Sequence, residues 1–257
     1  MSVVIMIPAR YDSTRFPGKP LSTFKGADGV SRTLIEHTWR AGNAVQEVDA
    51  VYVATDDDSI AETCRAFGAQ IVMTSPECRN GTERCADALG NIAETPDIVV
   101  NLQGDAPLTP VWFLQSLIGA LRRNPQLDAA TPVLECDEAT LARLRNDRSH
   151  GRVGGTTAVF DATKRALYFS KEVLPYGSGT TFHHVGVYAY RPAALSAYLS
   201  WPEGNLERSE GLEQLRFLEN GRDMHCVEVE SQGREFWEVN NPEDIPMVEN
   251  MLEMMGE

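Results

Sequence analysis

Arg10, Arg15 and Lys19 place three cations within one short stretch near the start of this 257-residue chain, among Ser13, Thr14, Pro17, Gly18 and Pro20. Residues 3–7, Val-Val-Ile-Met-Ile, precede them as an apolar run without a turn residue and read as a buried parallel strand. The basic loop therefore leaves the carboxyl end of the first strand, where open α/β sheets bind their ligands. Two guanidinium forks and an ammonium can neutralise a polyphosphate, while small residues let backbone N–H groups approach it. The plainer alternative is a solvated loop with ordinary surface cations. Such density on a chain of net charge -14 favours an anion as its partner.

Two further segments carry chemistry. Asn101-Leu102-Gln103-Gly104-Asp105-Ala106-Pro107 follows a second apolar run, so Gln103 and Asp105 emerge at the same sheet edge as Arg10 and Lys19. A carboxylate beside a phosphate loop can hold a divalent metal that neutralises phosphate oxygens; otherwise Asp105 is a turn-forming residue between strand and helix. In Arg79-Asn80-Gly81-Thr82-Glu83-Arg84, Thr82 can cap a helix and leave first-turn N–H groups for a base or phosphate. Read alone, this segment is more simply a loop-to-helix junction than a binding motif. The run Asp56-Asp57-Asp58 resembles a metal cluster, yet two of its carboxylates suit cap and first-turn positions.

These residues need a frame to position them. Strands are expected over 3–7, 50–55, 70–73, 97–102 and 129–133, alternating with helices over 32–46, 58–67, 82–93 and 110–123. That alternation predicts right-handed crossovers and a doubly wound, mostly parallel α/β sheet. Asp57 and Thr109-Pro110 mark helix starts and Gly68 a helix end. The second half is less regular. Strands are expected over 156–161, 182–190, 224–229 and 236–239, with helices over 193–200 and 207–220 and one from Pro242. Gly177-Ser178-Gly179 marks a mobile or ligand-facing loop. The methionines of the last helix suit core or dimer packing. We expect one domain over 1–257, with a smaller lobe at about 135–200 packed on the same sheet.

Bulk composition bounds the function. Hydrophobic residues make up 42%, enough for a core, and no stretch suits a membrane span or a secretory signal. Five scattered cysteines, without a C-x-x-C pair, argue for reduced thiols in a cytoplasm and against a zinc site. The acidic balance disfavours nucleic acid and membrane surfaces as partners.

Ile7-Pro8-Ala9-Arg10-Tyr11, continuing through Ser13-Thr14-Arg15 and Pro17-Gly18-Lys19-Pro20-Leu21, resembles the cytidylyltransferases that activate 3-deoxy-manno-octulosonate (Kdo), the CMP-Kdo synthetases. Collinear matches follow at Ala54-Thr55-Asp56, Met73-Thr74, Gly81 to Arg84, Asn101 to Asp105, Ala166 to Ser170, Gly186 to Tyr190, Leu212 to Arg216 and Pro242 to Asp244. The resemblance implies a Rossmann-like nucleotidyltransferase fold, a cytoplasmic homodimer, and transfer of CMP from CTP to a small acidic acceptor. It implies that Arg10, Arg15 and Lys19 grip the triphosphate, and that Thr74, Asn80, Gly81 and Thr82, with the backbone near Ala9, read the cytosine. Gln103 would touch the ribose. Asp105 and Asn240 would hold Mg²⁺, and Arg10, Lys19 and Asp105 would form the catalytic set. Tyr188, Glu213 and Gln214 would face the acceptor.

The departures lie at the metal and acceptor. Where the family reads Gly-Asp-Glu-Pro, Ala106 follows Asp105; where it reads Val-Asp-Thr-Pro-Glu-Asp, Asn240 replaces the first Asp. Asn240 can coordinate through its carbonyl but brings no charge, so the ion should be held more weakly unless the acceptor compensates. An Arg-His pair of the family is replaced by His183-His184, which on a strand point to opposite faces. We take His184 as the one facing the pocket, against the alternative of a strand residue satisfied by a neighbour. Arg152 could meet an acceptor carboxylate or phosphonate, or lie on the surface. Three readings follow: a Kdo cytidylyltransferase, one acting on an amino-Kdo sugar or a phosphonate such as phosphonoformate, or a silent CTP-binding protein.

Overall fold

Seven consecutive buried residues, β1 (Val3–Ala9), form the axis of the molecule. Their side chains alternate: Val3, Ile5, Ile7 and Ala9 enter one apolar cluster, Val4 and Met6 another on the opposite sheet face. The structure, a computed structural model, describes residues 1–12, 16–151, 155–177, 179–234 and 237–256.

After β1 come the hairpin β2 (Thr23–Lys25) and β3 (Ser31–Thr33), then α1 (Leu34–Asn43), β4 (Ala50–Thr55), α2 (Asp58–Ala66) and β5 (Gln70–Met73). They are followed by α3 (Gly81–Gly90), β6 (Ile98–Asn101), α4 (Val111–Arg123), β7 (Ala129–Glu135) and α5 (Glu138–Ser149). The second half adds β8 (Thr156–Phe160), β9 (Ala166–Ser170), β10 (Phe182–His184), β11 (Tyr188–Tyr190), α6 (Pro192–Tyr198) and α7 (Asn205–Glu210). The chain closes with α8 (Leu215–Glu219), β12 (Met224–Glu228) and α9 (Ile245–Met255).

Among the described residues the main sheet runs β5-β4-β1-β6-β11-β7-β10-β8-β9, with β12 pairing β7. β5, β4, β1 and β6 are mutually parallel. β11 enters antiparallel between β6 and β7, and β10, β8 and β9 extend the sheet in antiparallel pairs. α1, α2 and α4 cover one face through Ile35, Ile60 and Phe113; α3, α6 and α8 cover the other through Leu89, Leu195 and Phe217. This is the doubly wound, mostly parallel α/β sheet expected from the alternation of the first half.

Local signals placed most early elements. Asp57 caps α2 by accepting from the Ile60 N–H at 2.9 Å, and Gly68 follows that helix at φ +90°. Pro110, expected inside the first turn of α4, is its N-cap. Other expectations need correction. The helix expected from 32 starts at Leu34, because Thr33 caps it and Arg32 belongs to the hairpin. The single strand over 182–190 is two: Val187 donates its N–H to the Val185 carbonyl at 2.7 Å, a turn that carries the chain from β10 to β11. The helix over 207–220 breaks at Gly211, φ +61°, into α7 and α8. No strand forms at 237–239, while Phe236 lies outside the described residues. α5 and β9 are additions. Only Leu144 is buried in α5, so that helix has no apolar stripe to announce it.

Candidate active site

The carboxyl ends of β1 and β6 and the amino end of α3 meet in one open cleft. β1 contributes Pro8 and Ala9, and Arg10 follows its end; the turn Lys19–Leu21 contributes Lys19; the loop before α3 and its first turn contribute Cys78, Asn80, Gly81 and Arg84; the loop after β6 contributes Gln103, Gly104 and Asp105. Two glycines let these segments touch. A Cβ on Gly104 would stand 2.6 Å from the Pro8 carbonyl oxygen, and one on Gly81 would stand 3.0 Å from the Gln103 side chain.

Arg10 is exposed at the cleft and makes no hydrogen bond or ion pair among the described residues. Lys19 is anchored: its Nζ lies 2.5 Å from Asp105 Oδ2 and 2.8 Å from the Val239 carbonyl oxygen. The Val239 N–H in turn donates to the Asp105 carbonyl at 2.9 Å. The segment carrying Asn240, more than a hundred residues from Asp105 in sequence, is thereby docked beside it. Asp244 accepts from the Asn240 and Asn241 N–H groups at 2.8 and 2.7 Å and holds that turn.

Asn80 is the true cap of α3, its Oδ1 accepting from the Glu83 N–H at 2.8 Å. Thr82, expected to face a base, points into the protein instead. Its side chain is fully buried with Oγ1 3.0 Å from the Tyr190 hydroxyl, and its N–H donates to Glu213 Oε2 at 3.0 Å. Thr74 is also set back from the cleft, where its hydroxyl accepts from Arg84 Nη1 at 2.6 Å. Arg84, buried and paired with Asp56 at 2.9 Å, is the cation that sequence reading missed. It ends the motif Gly81-Thr82-Glu83-Arg84, where spacing alone does not show that its side chain turns to Asp56. Of the acidic run, Asp57 caps α2, Asp58 lies in its first turn and Asp56 pairs with Arg84.

Behind Gln103, a wall residue of the cleft, lies a buried polar cluster. Gln103 Nε2 donates to Asn101 Oδ1 at 3.2 Å. Tyr188 stands opposite Asn101 in the β6–β11 register and donates its hydroxyl to Gln214 Oε1 at 3.2 Å. The amide nitrogens Asn101 Nδ2 and Gln214 Nε2 are buried with no hydrogen-bond partner among the described residues. Burial of this kind is costly unless a ligand or water completes the bonds. Burial also raises the Glu213 carboxyl to about 6, against the opposing hydrogen bond from Thr82. Asn101 was not foreseen, since its apolar neighbours read simply as strand.

His184 does not join this cluster as an open donor. Its Nε2 is 3.0 Å from Thr131 Oγ1 and its Nδ1 3.0 Å from Thr156 Oγ1, so both ring nitrogens are occupied. Desolvation lowers its pKa to about 3 and keeps it neutral. The expectation that it faces an acceptor is corrected to that of a satisfied core histidine. Arg15 and Arg152 lie outside the described residues.

Known proteins can now be set beside this geometry. The family model described as cytidylyltransferase matches residues 4–224. The chain belongs to the cytidylyltransferase family. It is 44% identical, over 100% of its length and 99% of the relative's, to a 3-deoxy-manno-octulosonate cytidylyltransferase of Maricaulis maris. It is 39% identical, over 98% and 99% of the two chains, to an 8-amino-3,8-dideoxy-manno-octulosonate cytidylyltransferase of Shewanella woodyi. A solved CMP:2-keto-3-deoxy-manno-octonic acid synthetase complexed with CTP superposes with a TM-score of 0.86 at 31% identity, covering 99% of this chain and 100% of that one.

In this cytidylyltransferase the wall behind α3 is an ionic network. Arg216, 1% exposed, reaches Glu207 through Nε and Nη2 at 2.6 Å each and Glu83 through Nη1 at 2.9 Å. Its guanidinium also lies 4.1 Å from the Tyr198 ring centre, and Asn80 Nδ2 donates to the Tyr198 hydroxyl at 3.3 Å. The first turn of α3 is thus braced from α6, α7 and α8.

Proposed function

We propose that this chain transfers CMP from CTP to 3-deoxy-manno-octulosonate and releases pyrophosphate. The observation that carries the reading is the pair of amide donors unpartnered among the described residues, Asn101 Nδ2 and Gln214 Nε2, in the polar cluster bonded to Gln103, a wall residue of the cleft that Arg10 and Lys19 line. Phosphate-binding cations adjoin buried donors suited to a polar, oxygen-rich acceptor. The full-length likeness to the Maricaulis maris protein supports the same acceptor.

In this reading Arg10, Arg15 and Lys19 take the triphosphate. Asn80, Gly81 and the backbone at Ala9 hold the cytosine, and Gln103 meets the ribose. Thr74 and Thr82 act from behind, through Arg84 and through the Thr82 N–H. Tyr188, Glu213, Gln214 and Arg152 meet the acceptor. An acceptor hydroxyl oxygen forms the new bond to the α-phosphorus as the bond to pyrophosphate breaks, a reaction that depends on alignment and charge neutralisation.

Cytidylyltransferases of this kind generally use a divalent metal. Among the described residues no group of three His, Cys, Asp or Glu could hold one. Asp105 with the Asn240 carbonyl suits Mg²⁺, which takes one or two protein oxygens and completes its shell with phosphate and water. The Lys19 ammonium already seated on Asp105 supports a cation at that carboxylate. When bound, Mg²⁺ would neutralise phosphate oxygens.

We extend the reading to a cytoplasmic homodimer, with the part from about 135 to 200 acting as acceptor and dimerisation lobe within one domain. The described residues contain no helix long and apolar enough to cross a membrane. The Shewanella woodyi relative supports a second reading, with the 8-amino sugar as acceptor. Pyrophosphate release measured with CTP and Kdo, 8-amino-Kdo or phosphonoformate decides among acceptors. Release with Kdo well above the others is expected; none with any acceptor would leave a silent CTP-binding protein.

A further inference from the structure

Lys19 is assigned above to the triphosphate, yet in the free protein it is held elsewhere. Its Nζ sits 2.5 Å from Asp105 Oδ2 and 2.8 Å from the Val239 carbonyl, with the Lys19 and Asp105 side chains 13% and 27% exposed. The Val239 N–H closes the loop by donating to the Asp105 carbonyl. We infer that the Lys19 ammonium is a built-in counter-cation that closes the Asp105 metal position until a nucleotide triphosphate draws it away.

A carboxylate oxygen bonded to an ammonium at 2.5 Å cannot hold a divalent ion in the same place, and the two cations would repel strongly at such separation. Val239 and Asn240 are consecutive, so the carbonyl that grips Lys19 lies one residue from the second proposed metal ligand. A triphosphate offers Lys19 several anionic oxygens in exchange for one carboxylate and one carbonyl. Departure of Lys19 leaves Asp105 uncompensated beside the phosphates, which is where a divalent ion binds best. Nucleotide and metal therefore help each other bind through one lysine, a coupling that is reciprocal by thermodynamic necessity. The inference rests on the metal reading proposed above.

The test is a titration of the full chain with Mn²⁺ followed by electron paramagnetic resonance, without nucleotide. Wild type is expected to bind weakly, and Lys19→Met about ten- to hundredfold more tightly, the equivalent of one charge-assisted hydrogen bond to the carboxylate. Lys19→Arg, which keeps a cation at Asp105, is expected to remain near wild type and so controls for a general change in folding. Equal Mn²⁺ affinity in wild type and Lys19→Met, including no binding by either, would overturn the inference. Failure of the underlying metal reading looks different. With CTP present, Asp105→Asn would then retain as much protein-bound Mn²⁺–CTP as wild type.

Discussion

Replacing Arg216 by Met should remove the main brace behind the nucleotide cleft. The guanidinium makes two 2.6 Å bonds to Glu207 and one of 2.9 Å to Glu83, and only 1% of the residue is exposed. Glu83 would keep Arg79, whose Nε donates at 2.9 Å. Glu207, 5% exposed, would keep among the described residues only a 3.4 Å contact from the Tyr198 hydroxyl. Two charge-assisted bonds to one carboxylate are worth about 3–6 kcal/mol, and breaking a buried pair typically costs about 3–5 kcal/mol, so we expect a loss near 4 kcal/mol. For a chain of this size that corresponds to a Tm lowered by roughly 8–16 °C. Urea unfolding followed by tryptophan fluorescence measures it. Most of the loss comes from the stranded Glu207, so Glu207→Gln in the Arg216→Met background should recover a substantial part. The KM for CTP should rise in the single variant, because the first turn of α3 loses its support. A loss below about 1 kcal/mol at unchanged denaturant slope, or no recovery in the double variant, would refute this account of the wall.

Arg10→Ala and Lys19→Ala should each lower kcat/KM by about a hundredfold or more, as loss of a preorganised charge partner does, and unchanged turnover in both would remove the triphosphate from this loop. Gly104→Ala should cost about 1–3 kcal/mol in urea unfolding and depress activity, since its Cβ would meet the Pro8 backbone oxygen at 2.6 Å. His184 should make the protein acid-sensitive. Its folded pKa, near 3, lies below the unfolded value of about 6.5, so its stabilising share is complete above that value and falls by about 1.4 kcal/mol per pH unit on acidification. The loss reaches about 2 kcal/mol at pH 5, and His184→Gln should flatten the unfolding free energy, measured in urea, between pH 7 and 5 by about that amount.

What the sequence disclosed followed the range over which its signals act. β1, β4, β5 and β6 and the caps at Asp57 and Gly68 rest on neighbouring residues, and each was legible. The convergence of Lys19, Gln103 and Asp105 followed too, because parallel strands bring their carboxyl ends to one edge. The orientations of Thr82 and Thr74 are not legible in the sequence: their partners, Tyr190 and Arg84, are set by packing that spacing does not encode. The same holds for His184. Strand alternation gave it a face but could not reveal that Thr131 and Thr156 occupy both nitrogens. The insertion of β11 between β6 and β7 had no local signal, yet it is what sets Tyr188 opposite Asn101.

The charges of the cleft divide by how they are balanced. Arg84 is matched by Asp56, Arg216 by Glu83 and Glu207, and Lys19 by Asp105, so these cations add little net field outside the protein. Arg10 is exposed and unmatched among the described residues. On a chain of net charge -14 an incoming triphosphate is repelled at long range, and an unscreened guanidinium at the cleft is the group that can offset this locally. On the proposed reading Arg10 would serve capture and Lys19 commitment: the first would meet the anion at once, the second only after leaving Asp105. A substitution at Arg10 should therefore slow CTP association most at low ionic strength, whereas one at Lys19 should act mainly after encounter and depend little on salt. Stopped-flow binding at two salt concentrations separates them, and identical salt dependence for both variants would contradict this division of roles.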